Sequence, residues 1–168
     1  RANAYPGLLP EHLSQVVPYE YAARDKLSIH SYLTLPGGSD SPPLIVLPHG
    51  GPQSRDDLSF DWQRQFFASQ GYAVFQPNFR GSSGYGDAFI EAGWGEWGGD
   101  MQTDIDDGVE SLIRDELVDP KRICIVGSSY GGYAAMMGVV SRPDLYKCAV
   151  SYGGVSDMAD MYNHALEQ

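Results

Sequence analysis

The sequence predicts an α/β protein: a mostly parallel sheet with helices on both faces. Three observations carry this. Ile123–Val126 and Pro43–Leu47 are continuous apolar runs, as strands buried on both faces are. Met101, Ile105, Val109, Leu112 and Ile113 fall on one stripe of a helix starting near Asp100. Gly127-Ser128-Ser129-Tyr130-Gly131 then fits Gly-x-Ser-x-Gly between an apolar strand and a helix of small and apolar residues from Tyr133.

The remaining elements follow in order. Residues 1–15 lack periodicity, are broken by Pro6-Gly7 and Pro10, and read as a linker from a preceding domain; 16–168 form the domain proper. Val16–Ala22 is a candidate first strand. Arg24-Asp25-Lys26 is a hairpin turn, although Lys resists the positive φ that Gly would accept. Leu27–Leu35 alternates apolar and polar residues and predicts a half-exposed antiparallel strand. Pro36–Pro42 is a loop, and Pro43–Leu47 ends in Pro48-His49-Gly50-Gly51-Pro52. Phe60, Trp62, Phe66 and Phe67 mark the apolar face of a helix closed by Gly71. Tyr72–Phe75 is a buried strand, and Asn78 to Gly99 a long Gly-rich loop of the kind that is usually functional. Asp104, Asp106 and Asp107 lie early in the following helix, where its dipole favours negative charge, and read as a solvated face rather than a metal site. Asp119-Pro120 ends that segment. Lys147–Tyr152 is a further core strand, and 153–168 a helical tail without a clear stop.

Composition narrows the function. A length of 168 residues fits one domain with a real core. The net charge of -11 argues against nucleic acid or an anionic membrane as partner. No apolar run approaches the roughly eighteen residues of a membrane span. The only two cysteines, Cys124 and Cys148, fall in predicted core strands. They read as buried free thiols, and hence as a sign of a reducing, cytoplasmic setting.

The chemistry centres on Ser129. A serine at the apex of so tight a turn needs glycine at 127 and 131, and stands with its hydroxyl at the mouth of the sheet. It attacks only if a base takes its proton and donors hold the oxyanion. The amide of Tyr130 is one expected donor. Gly51, directly after the Leu44–Leu47 strand in His49-Gly50-Gly51, is the other, since its bare N–H can come close to a carbonyl. His164 is the only histidine after Ser129, and Asp157 lies just past the following strand. They are weak candidates for base and acid, being seven residues apart with no strand between to carry His164 back. His12 and His30 read as surface residues, and His49 as a shaper of the Gly50-Gly51 loop. No metal site or cofactor is expected.

These stretches together resemble the catalytic domain of the prolyl oligopeptidase family of serine peptidases, nearest its acylaminoacyl-peptidase and dipeptidyl-peptidase branch. The resemblance covers the Tyr21–Pro36 hairpin, His49-Gly-Gly-Pro, Asn78-Phe-Arg-Gly-Ser-Ser-Gly-Tyr-Gly and Gly127-Ser-Ser-Tyr-Gly-Gly. It implies an α/β-hydrolase fold, here incomplete, with C-terminal strands missing. It implies Ser129 as nucleophile, Gly51 and Tyr130 as oxyanion hole, and no cofactor. The implied substrate is a short peptide, an acylated amino acid or an ester. It also implies a propeller domain before Arg1, and an acid and base beyond Gln168, so that the chain by itself would be inactive. A simple carboxylesterase would share every motif. Lys26 and Ser31 depart from the family, which usually has glycine there. The last strand, left as an unpaired edge, would favour self-association.

Overall fold

The computed structural model describes residues 7–166, with side chains described up to Asn163. A short 3₁₀ turn, Pro10–His12, precedes six strands and five helices. The strands are β1 (Val16–Ala22), β2 (Ser28–Thr34), β3 (Leu44–Val46), β4 (Ala73–Asn78), β5 (Ile123–Ser128) and β6 (Cys148–Tyr152). The helices are α1 (Trp62–Ser69), α2 (Asp87–Glu91), α3 (Asp100–Arg114), α4 (Tyr130–Ser141) and α5 (Met158–Leu166). One sheet runs in the order β1-β2-β4-β3-β5-β6. The β1–β2 and β2–β4 pairs are antiparallel; β4, β3, β5 and β6 run parallel.

Strand alternation puts the helices on opposite faces. Phe75 points one way, and a methyl on Gly108 of α3 would lie 2.5 Å from its ring. Gln76, the next residue, points the other way and accepts a hydrogen bond from Arg64 of α1 at 2.8 Å. The main core fills the α3 side, where Ile29, Leu33, Leu44, Phe75, Ile105, Leu112, Ile123 and Ile125 are closed to solvent.

Several expectations are corrected. The aromatics of α1 do not form its buried face: Trp62 and Phe66 are exposed, and Arg64 and Ala68 are buried. The inner face is polar because the Arg64 guanidinium ties α1 to Gln76 and to the carbonyls of Asp57 and Ser59. β4 extends to Asn78, and the loop beyond it contains α2. Asp104 and Asp106 are buried rather than solvated. Arg80 grips Asp104 through its main-chain N–H (2.9 Å), Nε (2.8 Å) and Nη2 (2.7 Å), while Nη1 reaches Asp25 and Asp100 at 3.0 Å each. Burial raises the Asp104 carboxyl against the pull of these bonds, and the pairing raises the Arg80 guanidinium. Asp106 accepts from the buried Tyr146 hydroxyl at 2.6 Å, and desolvation pushes its carboxyl to about 6.

Among the described residues β6 is the outermost strand, and most of it is exposed. Cys124 and Cys148, expected to be free thiols, are paired instead. They face each other across β5 and β6 with Cα atoms 4.7 Å apart, and their sulfurs are bonded. With no free cysteine among the described residues, the inference to a reducing compartment loses its basis.

The β1–β2 hairpin closes as expected, with Lys26 N–H donating to Ala23 O at 2.7 Å. Lys26 takes φ +73°, a conformation that costs a residue with a Cβ roughly 1–2 kcal/mol. Lys26→Gly is expected to raise the free energy of unfolding by about 0.5–1 kcal/mol after glycine's greater chain entropy is deducted, as measured by urea titration.

Candidate active site

The site is assembled where the C-terminal ends of β3, β5 and β6 meet. β5 delivers the chain through Gly127 and Ser128 into Ser129, which caps α4 with φ +56° and ψ −122°. That region is costly for serine, on the order of 1–3 kcal/mol, and persists only where the surroundings over-determine it. They do so here through main-chain bonds and close backbone approach. Ser129 N–H donates to Tyr152 O at 3.1 Å, and Ser129 O accepts from Tyr133 N–H at 3.1 Å. A Cβ on Gly127 would drive into the Gly131 backbone, and one on Gly131 into the Pro48 carbonyl. Ser129 itself is exposed.

The loop after β3 runs beside it. A methyl on Gly50 would lie 3.4 Å from Ser129 Cβ and 3.9 Å from Oγ. Gly51 has φ +121°, and any Cβ there would come within 2.8 Å of Gln53 N. Tyr130 is the first residue of α4, so its N–H has no carbonyl behind it within the helix. Its ring is buried under Phe79, at 5.1 Å between centroids, and Trp97, at 4.7 Å. The Gly/Trp loop thus braces the turn from behind, with Trp97 also against Tyr133 at 5.0 Å. In front of Gly51 and Pro52, the same loop lines a cavity of about 620 Å³ with Gly81, Ile90, Trp94 and Trp97.

His49 shapes this loop, and both ring nitrogens are engaged. Nδ1 lies 2.7 Å from the Gly50 carbonyl, which can only accept, so Nδ1 carries the proton. Burial lowers the imidazole's pKa, and Nε2 lies 2.9 Å from Ser82 Oγ, whose own proton goes to the Phe79 carbonyl at 2.6 Å. The ring stacks on Phe79 at 4.5 Å.

The other candidates are placed elsewhere. His12 and His30 are exposed, and His30 stacks on Tyr85. Asp157 is exposed and caps α5, its Oδ1 accepting from Asp160 N–H at 2.9 Å. His164 falls inside α5, its side chain outside the described residues. Among the described residues, no imidazole hydrogen-bonds the Ser129 hydroxyl.

Asp56, which sequence reasoning missed, sits under the same loop. Asn78 clamps its main chain at two points, accepting from Asp56 N–H (2.8 Å) and donating to Asp56 O (3.1 Å). The residue as a whole is half-buried, but Oδ2 is fully buried and has no partner among the described residues. It borders a cavity of about 430 Å³ shared with Asp61, His49, Gly50 and Ser128. Only the short spacing Arg-Asp-Asp after the glycine loop hinted at it, and that pattern has many meanings.

Sheet order, elbow and glycine loop define an α/β-hydrolase domain. Comparison with known proteins agrees. A solved puromycin hydrolase superposes with a TM-score of 0.88 at 29% identity, covering 94% of this chain and 25% of that one. The acylaminoacyl peptidase of Pyrococcus horikoshii gives 0.80 at 32% identity, covering 86% and 23%. Dipeptidyl aminopeptidase BIII of Pseudoxanthomonas mexicana is 40% identical over 93% of this chain and 24% of that protein. Residues 58–167 match the prolyl oligopeptidase family, and the chain belongs to that family. It spans about a quarter of the length of these relatives.

Desolvation first, then the nearby charge of Asp61, pushes the Asp56 carboxyl from its ordinary 3.8 to about 7, with Arg64 pulling the other way. The folded protein thus holds this proton more tightly than the unfolded chain. The resulting stability is full below about pH 4 and is lost as pH rises through 7. Asp56→Asn cannot ionise and keeps the main-chain clamp. It is expected to gain about 2–4 kcal/mol over wild type between pH 4 and pH 8. Thermal or urea unfolding of both proteins across that range checks this.

Proposed function

We propose that Ser129 is the nucleophile of a serine peptidase that cleaves short peptides or N-acylated peptides through an acyl-enzyme. One observation carries the reading: an exposed serine held at φ +56° at the rim of the parallel strands, with the Gly50-Gly51 backbone against it. Strain of this kind is maintained for a side chain that has work to do at that point. In the proposed reaction Ser129 Oγ bonds to the substrate carbonyl carbon while a base takes its proton. The Gly51 and Tyr130 amides donate to the oxyanion. The carbon–nitrogen bond then breaks, the amine leaves with the proton, and water hydrolyses the ester.

The base and its acid come, in this reading, from outside these 168 residues. His49 has both ring nitrogens engaged, and Asp157 is committed to capping α5. The puromycin hydrolase, the acylaminoacyl peptidase and the dipeptidyl aminopeptidase named above support acyl transfer from nitrogen. The cavity walled by Trp94, Trp97 and Ile90 in front of Gly51 suits the apolar part of such a substrate.

In the intact gene product a fluorophosphonate is expected to label Ser129, and Ser129→Ala to abolish both labelling and turnover, the latter by on the order of 10⁶-fold. An unlabelled wild-type protein overturns the assignment. Turnover of aminoacyl p-nitroanilides is expected alongside p-nitrophenyl esters; esters alone would make the protein a carboxylesterase.

A further inference from the structure

Cationic side chains are outnumbered in this chain, 11 Lys and Arg against 22 Asp and Glu, and its arginines are nearly all engaged. Arg24 holds Asp107, Arg80 holds Asp104, Arg122 holds Asp119, and Arg142 holds Glu110 and Asp144. Arg114 bonds Ser111, and buried Arg64 bonds Gln76 and two carbonyls. Arg55 differs. Among the described residues its guanidinium has neither a hydrogen bond nor an ion pair. Asp57, two positions on, feels its charge but gives its hydrogen bond to the Ser59 N–H at 2.7 Å.

The side chain nevertheless has a built seat. It lies along Gly84, where a methyl group would overlap Nη1 and come 2.9 Å from Cζ and 3.1 Å from Cδ. Gly84 has φ +89°, so its conformation and its bare surface both call for glycine. The main chain on either side of Arg55 is pinned. Ser54 O accepts from Ser83 N–H at 2.9 Å, and Asp56 N–H donates to Asn78. The segment also leads straight from the nucleophile. Gly50 touches Ser129, and the turn in which Ser54 N–H donates to Pro52 O at 2.8 Å brings the chain round to Arg55. Four residues span at most about 14 Å, which bounds the distance between the Gly51 and Arg55 Cα atoms, and the long arginine side chain extends from there.

We propose that Arg55 is a specificity residue that receives a substrate carboxylate at the mouth of the Ser129 site. The proposal rests on the peptidase reading above. A guanidinium fork pairs with a carboxylate through two parallel N–H···O bonds, and one already laid on a glycine platform loses little freedom on pairing. It also places a positive charge locally in a chain whose net charge is -11. The carboxylate has two possible sources: the C-terminus of a short peptide, or an acidic side chain within it.

The test uses the intact gene product and two matched substrate pairs. One pair is a peptide with a free C-terminus against its C-terminal amide. The other is an amidated peptide with Glu against the same peptide with Gln beyond the cleaved bond. Wild type is expected to prefer the carboxylate member of one pair by about 10-fold or more in kcat/KM, mainly through KM. Arg55→Gln is expected to bring that ratio near one, and Arg55→Lys, which keeps the charge but loses the fork, to fall between. The pair that responds identifies the source. If neither pair shows a preference in wild type, or if Arg55→Gln leaves the ratio unchanged, the proposal is overturned. Fluorophosphonate labelling of wild type, run in parallel, reports on Ser129 alone, so failure of the nucleophile assignment is seen separately.

Discussion

The structure depends on one backbone crowding problem. Three chain segments, the ends of β3, β5 and β6, converge so closely that there is no room for side chains between them. Gly131 lies against the Pro48 carbonyl, Gly127 against Gly131, and Gly132 against Gly154. The last of these approaches brings the turn after β6 onto the first turn of α4. The strained angles of Ser129 result from this convergence: the chain must reverse from strand to helix inside a space bounded by main chain. A bulkier turn would relax the serine and also push the Gly50-Gly51 loop away from it. Position of Ser129 and position of the Gly50-Gly51 backbone are therefore set by the same contacts.

The polar framework beneath the site solves a second problem, how to hold long loops without secondary structure of their own. Arg80 is the pivot. Its guanidinium joins the hairpin turn at Asp25 to α3 at Asp100 and Asp104, while its main-chain N–H belongs to the start of the Gly-rich loop. A buried ion pair returns little net stability because desolvation offsets attraction. Its value here is geometric, since a five-donor fork fixes three segments at once. Asn78 does similar work for the loop after Gly51, mimicking a peptide group toward Asp56 and donating to the Tyr85 hydroxyl at 2.9 Å. Trp97 then presses the far end of the Gly-rich loop onto Tyr130.

Much of this was legible in the sequence, and the parts that were not share a cause. Strand–turn–helix around Ser129 could be read because apolar β-branched residues, paired glycines and small helical residues each state a local steric requirement. The hairpin could be read from alternation, and Lys26 was recognised as a poor turn residue that the fold nonetheless forces to positive φ. The errors concern which side of an element meets protein. Four aromatics suggested the inner face of α1, but Arg64 and Ala68 occupy it, because this helix covers Gln76 rather than an apolar strand residue. Asp104 and Asp106 looked like a dipole-matched surface; their partners, Arg80 and Tyr146, lie 24 and 40 residues away. Cys124 and Cys148 looked like separate buried thiols because their strands are apolar, yet the β5–β6 register sets the two side by side and their sulfurs are bonded. Periodicity reports on local preference, and long-range pairs leave no trace in it.

The same limit explains why an acidic composition says less about partners than its sign suggests. The net charge of -11 counts carboxylates that the fold has already neutralised or buried. Asp104 lies inside a guanidinium fork, Asp61 is held by the first N–H groups of α1 and by Gln76, and Asp56 has its carboxyl pushed to about 7. What surrounds Ser129 is the local arrangement: the Gly50-Gly51 backbone, the aromatic wall of Trp94 and Trp97, and the Asp56 carboxyl beneath the loop. Exposed charges further from a group than a Debye length, about 8–10 Å at ordinary ionic strength, are largely screened from it. Charge at the site therefore follows from how the fold pairs its residues, and the total over the sequence is a poor guide to it.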